Sequence, residues 1–397
     1  LLSYAPSTEL QAGPGPTVMR AAFCVFNHIR YGGMPRNLLR IAEAWLARGH
    51  SLDLYAQLWE GPVPEGARLT VLPARGWSNH AHNRAFYRAL APRLAQARYD
   101  VVVGFNKMPG LDVYYAADAC YKARSLEERS WLYRLTPRYR HSVAFERAVF
   151  DTSAPTHILV LAENEQRKYM QHYGTQAERF HLLPPVINRA AMAPDDYEGA
   201  RAAARRELGI DPREKLILFV GSGFRAKGLD RAVRAVAALP SSLRERARLL
   251  VIGQDQPQRY RSLARRLGIG DRVVFAGGRD DVPKHLLAGD VLLHPAYHEN
   301  TGNVLLEALS AGLPVLTTDA CGWANHVVAS GGGMVVESPF SQARLDALLA
   351  EMLDETRRPE WSRSGIAYMR NFSAPDRAQA AVDVIEARAR AKQAVRA

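Results

Sequence analysis

The chain is short of cysteine. Its three thiols, Cys24, Cys120 and Cys321, stand far apart in 397 residues. An odd, scattered set with no CxxC or Cys/His cluster offers neither a disulfide framework nor a zinc site. A reduced, cytosolic protein is expected. Long apolar runs are also missing; a helix needs about 18 or more consecutive apolar residues to cross a bilayer, so no transmembrane helix is expected. Residues 1–18, with Pro6, Pro14 and Pro16, lack the basic start and continuous apolar stretch of a signal peptide and read as a flexible extension. GxGxxG, the Walker A Gly-Lys-Ser/Thr, RNP runs and zinc-finger spacings are absent too. That sets aside dinucleotide enzymes, P-loop nucleotidases and nucleic-acid partners.

What is present is ordinary globular composition, 47% hydrophobic and 23% charged, in a chain long enough for two or three domains. A formal charge of +12 attracts something acidic. Anionic lipid and a phosphorylated substrate remain as partners, and arginines on solvated helix faces take up part of the excess.

Strands and helices alternate throughout. Strand 20–26, a loop holding Gly32 and Gly33, a helix through Leu38, Ile41 and Leu46 that stops at Gly49, and strand 52–55 make a β-α-β unit. Paired glycines between strand and helix let the backbone come close to a ligand. Strand 71–72 follows, then helix 85–97, expected to kink or restart at Pro92, then strand 101–103. Asn106 and Lys107, just past a strand's carboxyl end, are candidates for an acceptor or its phosphates. His80 and His82 suggest no third metal ligand. Strand 157–161, helix 163–172 and strand 180–182 complete the half, and Pro184-Pro185 marks the crossing to a second domain. The alternation resumes over 215–336. The expected class is α/β, with two Rossmann-like doubly wound domains facing a central cleft, 19–186 and 187–372.

The stretch from Val291 to Pro314, VLLHPAYHENTGNVLLEALSAGLP, reads as strand, loop, helix and stop. Backbone N–H groups from Asn300 through Thr301, Gly302 and Asn303 to Val304 are placed to meet an anion at the helix start. Glu299 in the loop and Glu307 eight positions on bracket it. A carboxylate accepts hydrogen bonds from paired hydroxyls, so two of them around a phosphate-holding helix tip suit a nucleotide-sugar. Earlier, Gly221 to Gly228 (GSGFRAKG) links a strand to a helix, with Gly223 for backbone approach. Arg225 and Lys227 can stabilise a departing diphosphate. The loop Gly277 to Val282, with Arg279 and Val282, is a further strand-to-helix turn.

Glu299-x7-Glu307 resembles the EX7E motif of retaining glycosyltransferases of the two-domain GT-B fold. GFNKMPGLDVYYAADAC (Gly104 to Cys120), YGTQAERFHLLPP (Tyr173 to Pro185) and LLHPAYHENTGNVLLEALSAGLPVLTTDACG (Leu292 to Gly322) are similar to the bacterial lipopolysaccharide core glucosyltransferase I family, of glycosyltransferase family 4. The resemblance runs from about Met19 to the last helix. It implies a retaining transfer of glucose from UDP-glucose to an inner-core heptose of lipopolysaccharide, without a metal, by a peripheral protein on the cytosolic face of the inner membrane. It assigns Glu299 to the hexose hydroxyls, Glu307 to the ribose, and Lys227 with the amides of 300–304 to the diphosphate. The loop with Gly32 and Gly33 would close over the donor, and Arg279 and Val282 would hold the base. Asn37 and Ser222 depart from the family, which commonly has an acid and an arginine there; Arg225 is the expected substitute for the second. Residues 373–397 would form the crossover helix and basic tail. The alternatives are a related hexosyltransferase with another donor or acceptor, or a non-catalytic membrane-binding module of the same fold.

The segment Tyr121 to Arg147 interleaves basic residues, among them Arg134, Arg138 and Arg140, with Tyr121, Trp131, Tyr133, Tyr139 and Phe145. Such a mixture suits adhesion to an anionic leaflet. It equally suits a helix pair whose aromatics pack inward and whose arginines are solvated.

Overall fold

The computed structural model of the chain describes residues 18–29, 33–74, 76–186, 189–354 and 356–396. Gly32 and residues 1–17 of the expected extension lie outside them. The described residues divide into two compact units, one running to Pro185 and resuming at Ala374–Ala397, the other Val186–Ser373.

The first unit holds β1 (Arg20–His28), β2 (Ser51–Trp59), β3 (Ala67–Val71), β4 (Val101–Gly104), β5 (Val113–Ala116), β6 (His157–Val160) and β7 (Phe180–Leu182). They form one sheet in the order β3-β2-β1-β4-β5-β6-β7. Every neighbouring pair is parallel. β1 is buried without a break from Ala21 to Val25, as a strand covered on both faces must be. The helix Gly33–Ala47 buries Leu38, Ile41 and Trp45 on a 3.6-residue period. The helix Arg377–Arg396 adds Val382, Ile385 and Ala389 to the same core. Each fully buried leucine, isoleucine or valine there contributes about 1.5–3 kcal/mol. The Asp376 carboxylate caps that helix, accepting from the Ala378 and Gln379 amides at 2.8 and 3.0 Å.

Some expected elements change. The strand foreseen at 71–72 is β3, which begins at Ala67, and Leu72 already leaves it. The helix foreseen from 85 starts at Asn79, capped by the Ser78 hydroxyl, and runs on through Pro92 to Ala97. Pro92 costs it the bond to the Arg88 carbonyl, but Arg88 is exposed and water can meet that group. β5 was not foreseen: Val113-Tyr114-Tyr115-Ala116 is wholly buried between β4 and β6, so it shows no alternation.

The second unit holds β8 (Lys215–Val220), β9 (Ala247–Ile252), β10 (Val273–Gly277), β11 (Val291–His294), β12 (Val315–Thr318) and β13 (Gly333–Val336). Their order is β10-β9-β8-β11-β12-β13, again all parallel. In each sheet the strand order reverses once, between β1 and β4 and between β8 and β11. A crevice opens at the carboxyl ends of such a pair, and ligands of open α/β sheets bind there.

Candidate functional site

The chain leaves β8 at Val220 and enters the glycine loop; it leaves β11 at His294 and enters the loop that carries Glu299. Both loops therefore rise from the switch point of the second sheet. The Ala226 carbonyl fastens them, accepting from the Tyr297 and His298 amides at 2.8 and 3.2 Å. The Lys227 stem crosses the backbone at Gly221, where a Cβ would stand 2.7 Å from Lys227 Cε. Its ammonium donates to Glu299 Oε2, and the two side chains are only 21% and 16% exposed.

A buried imidazole completes the group. His294, at the last position of β11 and fully buried, sets Nε2 3.5 Å from Glu299 Oε2 and stacks on Phe219 of β8. Burial alone would push the Glu299 carboxyl up; His294 and the Lys227 charge outweigh it and hold the group at about 2. Burial pushes His294 down from the usual histidine value. His294 is the site residue that the sequence pattern does not single out, since a histidine ending an apolar strand looks like a core residue.

Beyond Glu299 the backbone is pinned from the β12 side. The Gly322 amide donates to the Glu299 carbonyl at 3.1 Å and the Trp323 amide to the Thr301 carbonyl at 2.9 Å. Gly302 takes φ +86°, which a side chain would strain, and turns the chain into the helix Asn303–Ser310. Asn300, Thr301 and Val304 are half-buried and Asn303 is exposed around that tip, and Glu307 lies half-buried one turn inside. The first amides of a helix have no partner within it, so the tip can receive an anion.

Arg225 is exposed on the glycine loop, beside Gly223. Ser222 serves the neighbouring strand: its hydroxyl accepts from the Gln254 amide at 3.0 Å. Arg279 forks onto Asp281 at 2.6 and 2.7 Å, and Val282 opens the helix Val282–Ala288. Their loop follows β10, the edge strand, with β9 and β8 between it and β11; it shares the sheet edge with Glu299 but does not adjoin it.

In the first unit, a cavity of about 330 Å³ lies at the switch point between β1 and β4. Asn106 and Lys107 line it. The Asn106 side-chain Oδ1 accepts from the Phe26 backbone amide at 2.7 Å, and Lys107 donates to Glu146 at 2.6 Å and to the Ala119 carbonyl at 2.9 Å. Gly33 begins its helix with open space around it, and its carbonyl accepts from the Asn37 amide group at 2.9 Å. In the segment 121–147, Tyr121, Tyr133 and Tyr139 pack on one another. The turn Trp131–Leu135 buries nothing: Trp131, Leu132 and Leu135 are more than half exposed, beside exposed Arg134, Arg138 and Arg140. Among the described residues, no helix is long and apolar enough to cross a membrane, and no three His, Cys, Asp or Glu side chains could hold a metal.

Two Rossmann-like domains, one bearing a lysine loop and an EX7E helix at its switch point, are the architecture of GT-B glycosyltransferases. The family of group 1 glycosyl transferases matches residues 200–366, and glycosyltransferase family 4 matches residues 31–191. The chain is 42% identical to the lipopolysaccharide glucosyltransferase WaaG of Escherichia coli (strain K12) over 364 residues, 91% of this chain and 97% of that protein. It superposes on a crystal structure of WaaG with a TM-score of 0.83 and 41% identity, covering 92% and 99% of the two chains. A sucrose-phosphate synthase from Thermosynechococcus elongatus shares the fold, at 20% identity and a TM-score of 0.67 over 95% and 98% of the chains. The chain belongs to the lipopolysaccharide core glucosyltransferase I family.

Proposed function

We infer that this chain transfers glucose from UDP-glucose to a heptose of the lipopolysaccharide core. The observation that carries the chemistry is the meeting of Lys227 with Glu299 at the switch point between β8 and β11. The sugar and the acceptor rest on the similarity to WaaG.

Glu299 takes the hexose hydroxyls, Glu307 the ribose hydroxyls, and Lys227, Arg225 and the helix-tip amides the diphosphate. Asn106 and Lys107 belong to the acceptor side. The bond from the anomeric carbon to the diphosphate oxygen breaks, the acceptor oxygen bonds to the same face of that carbon, and its proton passes to the departing diphosphate. Negative charge grows on the leaving group, which is where the lysine and the amides act. The exposed Trp131, Leu132 and Leu135, with the arginines beside them, support a peripheral place on the anionic cytosolic face of the inner membrane. Donor screening by mass spectrometry on a truncated core acceptor tests this: UDP-glucose adds one hexose, and Glu299→Ala abolishes the addition. A different sugar transferred in preference, or full activity in Glu299→Ala, overturns the proposal.

A further inference from the structure

The cavity at the first sheet's switch point has a mixed lining. Phe26 near the end of β1, and Asn106 and Lys107 just past β4, line it together with Asp118, Arg124 and Arg138. The Lys107 charge is already answered, because its side chain is only 11% exposed and its ammonium is bonded to Glu146, which is itself fully buried. Glu146 also accepts from the Tyr173 hydroxyl at 2.6 Å and from the Tyr121 and Lys122 amides at 2.8 and 2.9 Å, so this lysine is built into the domain. Arg124 and Arg138 differ. Both are exposed, and among the described residues neither forms an ion pair.

The lining residues do two kinds of chemistry. The Asp118 carboxylate and neutral amides can take sugar hydroxyls, and Phe26 offers an apolar face for a ring. Two guanidiniums can donate to hydroxyl oxygens as well, but cations without an ion-pair partner gain most from an anion. They present planar forks of donors that match a carboxylate or a phosphate. Arg134 and Arg140, close in sequence, do not line the cavity. Arg138 is therefore separated from them by position.

We propose that Arg124 and Arg138 bind an acid group, carboxylate or phosphate, carried by the acceptor saccharide, and so select an acidic acceptor. This rests on the reading of the chain as a glucosyltransferase whose acceptor occupies the first domain. Losing one charge-assisted contact raises the KM for acceptor by roughly tenfold or more.

The full-length protein is assayed with a deacylated core oligosaccharide, which cannot partition into a membrane. Three forms are compared: intact, dephosphorylated, and carboxyl-reduced. Arg124→Ala and Arg138→Ala each raise KM for the intact acceptor while Arg124→Lys recovers part of the loss, and UDP titration reports that each variant is folded. The wild-type KM rises with whichever treatment removes the recognised acid, which names its source. Variants that use the deacylated acceptor as well as wild type does, and lose only vesicle-anchored turnover, overturn the proposal and assign the arginines to the membrane. A wild-type enzyme indifferent to both treatments overturns it as well. If no glucose is transferred at all, the glucosyltransferase reading fails, and calorimetric binding of the same three oligosaccharides still decides whether the arginines hold an acid.

Discussion

The Lys227 ammonium and the Glu299 carboxylate, 72 positions apart, are bonded across the carboxyl ends of β8 and β11. Each therefore occupies the other's charge until a ligand arrives. A diphosphate would draw the ammonium away and leave the carboxylate to sugar hydroxyls, so one event prepares both ends of the donor. Lys227→Ala removes the cation from the leaving group and is expected to lower turnover roughly 100-fold, the usual worth of one preorganised donor. Steady-state transfer measures it. Wild-type turnover in this variant removes the lysine from the mechanism.

The same pair sets an acid limit on stability. Glu299 is held at about 2 against a usual value of 4.5. Below 4.5 the unfolded chain takes up a proton at this carboxyl that the folded chain refuses, so stability falls with pH through that window. Above it the contribution is fully present. Urea unfolding of wild type and Glu299→Gln should differ by a constant amount above about pH 5, and the gap should close toward pH 2. A gap that widens on acidification contradicts the assignment.

Lys107 makes a third test, because the acceptor role and the structural role predict different readouts. Glu146 lies 39 positions on and is fully buried; burial pushes its carboxyl up, and Lys107 and Tyr173 more than reverse that. Lys107→Met leaves a buried carboxylate short of its cation, which costs about 3–5 kcal/mol. The thermal midpoint should fall clearly. If the midpoint holds and only the KM for acceptor moves, the ammonium serves the acceptor directly.

How far these sites are legible in sequence depends on how local they are. Glu299, Glu307 and the glycine loop are visible because a strand-to-helix turn and an eight-residue spacing are short-range patterns. His294 is invisible because its use comes from Phe219 on the next strand and from the return of Glu299 over it. Ser222 reads in the sequence as a missing arginine, yet in the fold its hydroxyl holds the loop after β9. Lys107 is legible as lying just past a strand's carboxyl end, but its partner Glu146 sits on a distant helix. The strand order has the same character: no local pattern says that β10 ends at the sheet edge, so the place of Arg279 relative to Glu299 comes only from the assembled sheet.

The segment 121–147 carries the last prediction. Its tyrosines pack on one another, while Trp131, at 67% exposed, and Leu132 and Leu135 are left to solvent on a turn with no buried residue. Exposed apolar side chains beside arginines lose little by staying in water singly, but together they gain by entering a headgroup layer whose charge the arginines meet. Binding to anionic vesicles should therefore be measurable by sedimentation and weaken as salt rises, because each cation near the surface contributes about 1 kcal/mol. Arg134→Glu and Arg140→Glu combined should abolish it, and Trp131→Ser should weaken it without changing the salt dependence. Equal binding by that double variant ends the membrane role, since reversed charge on the turn and the helix that follows it is incompatible with an anionic partner.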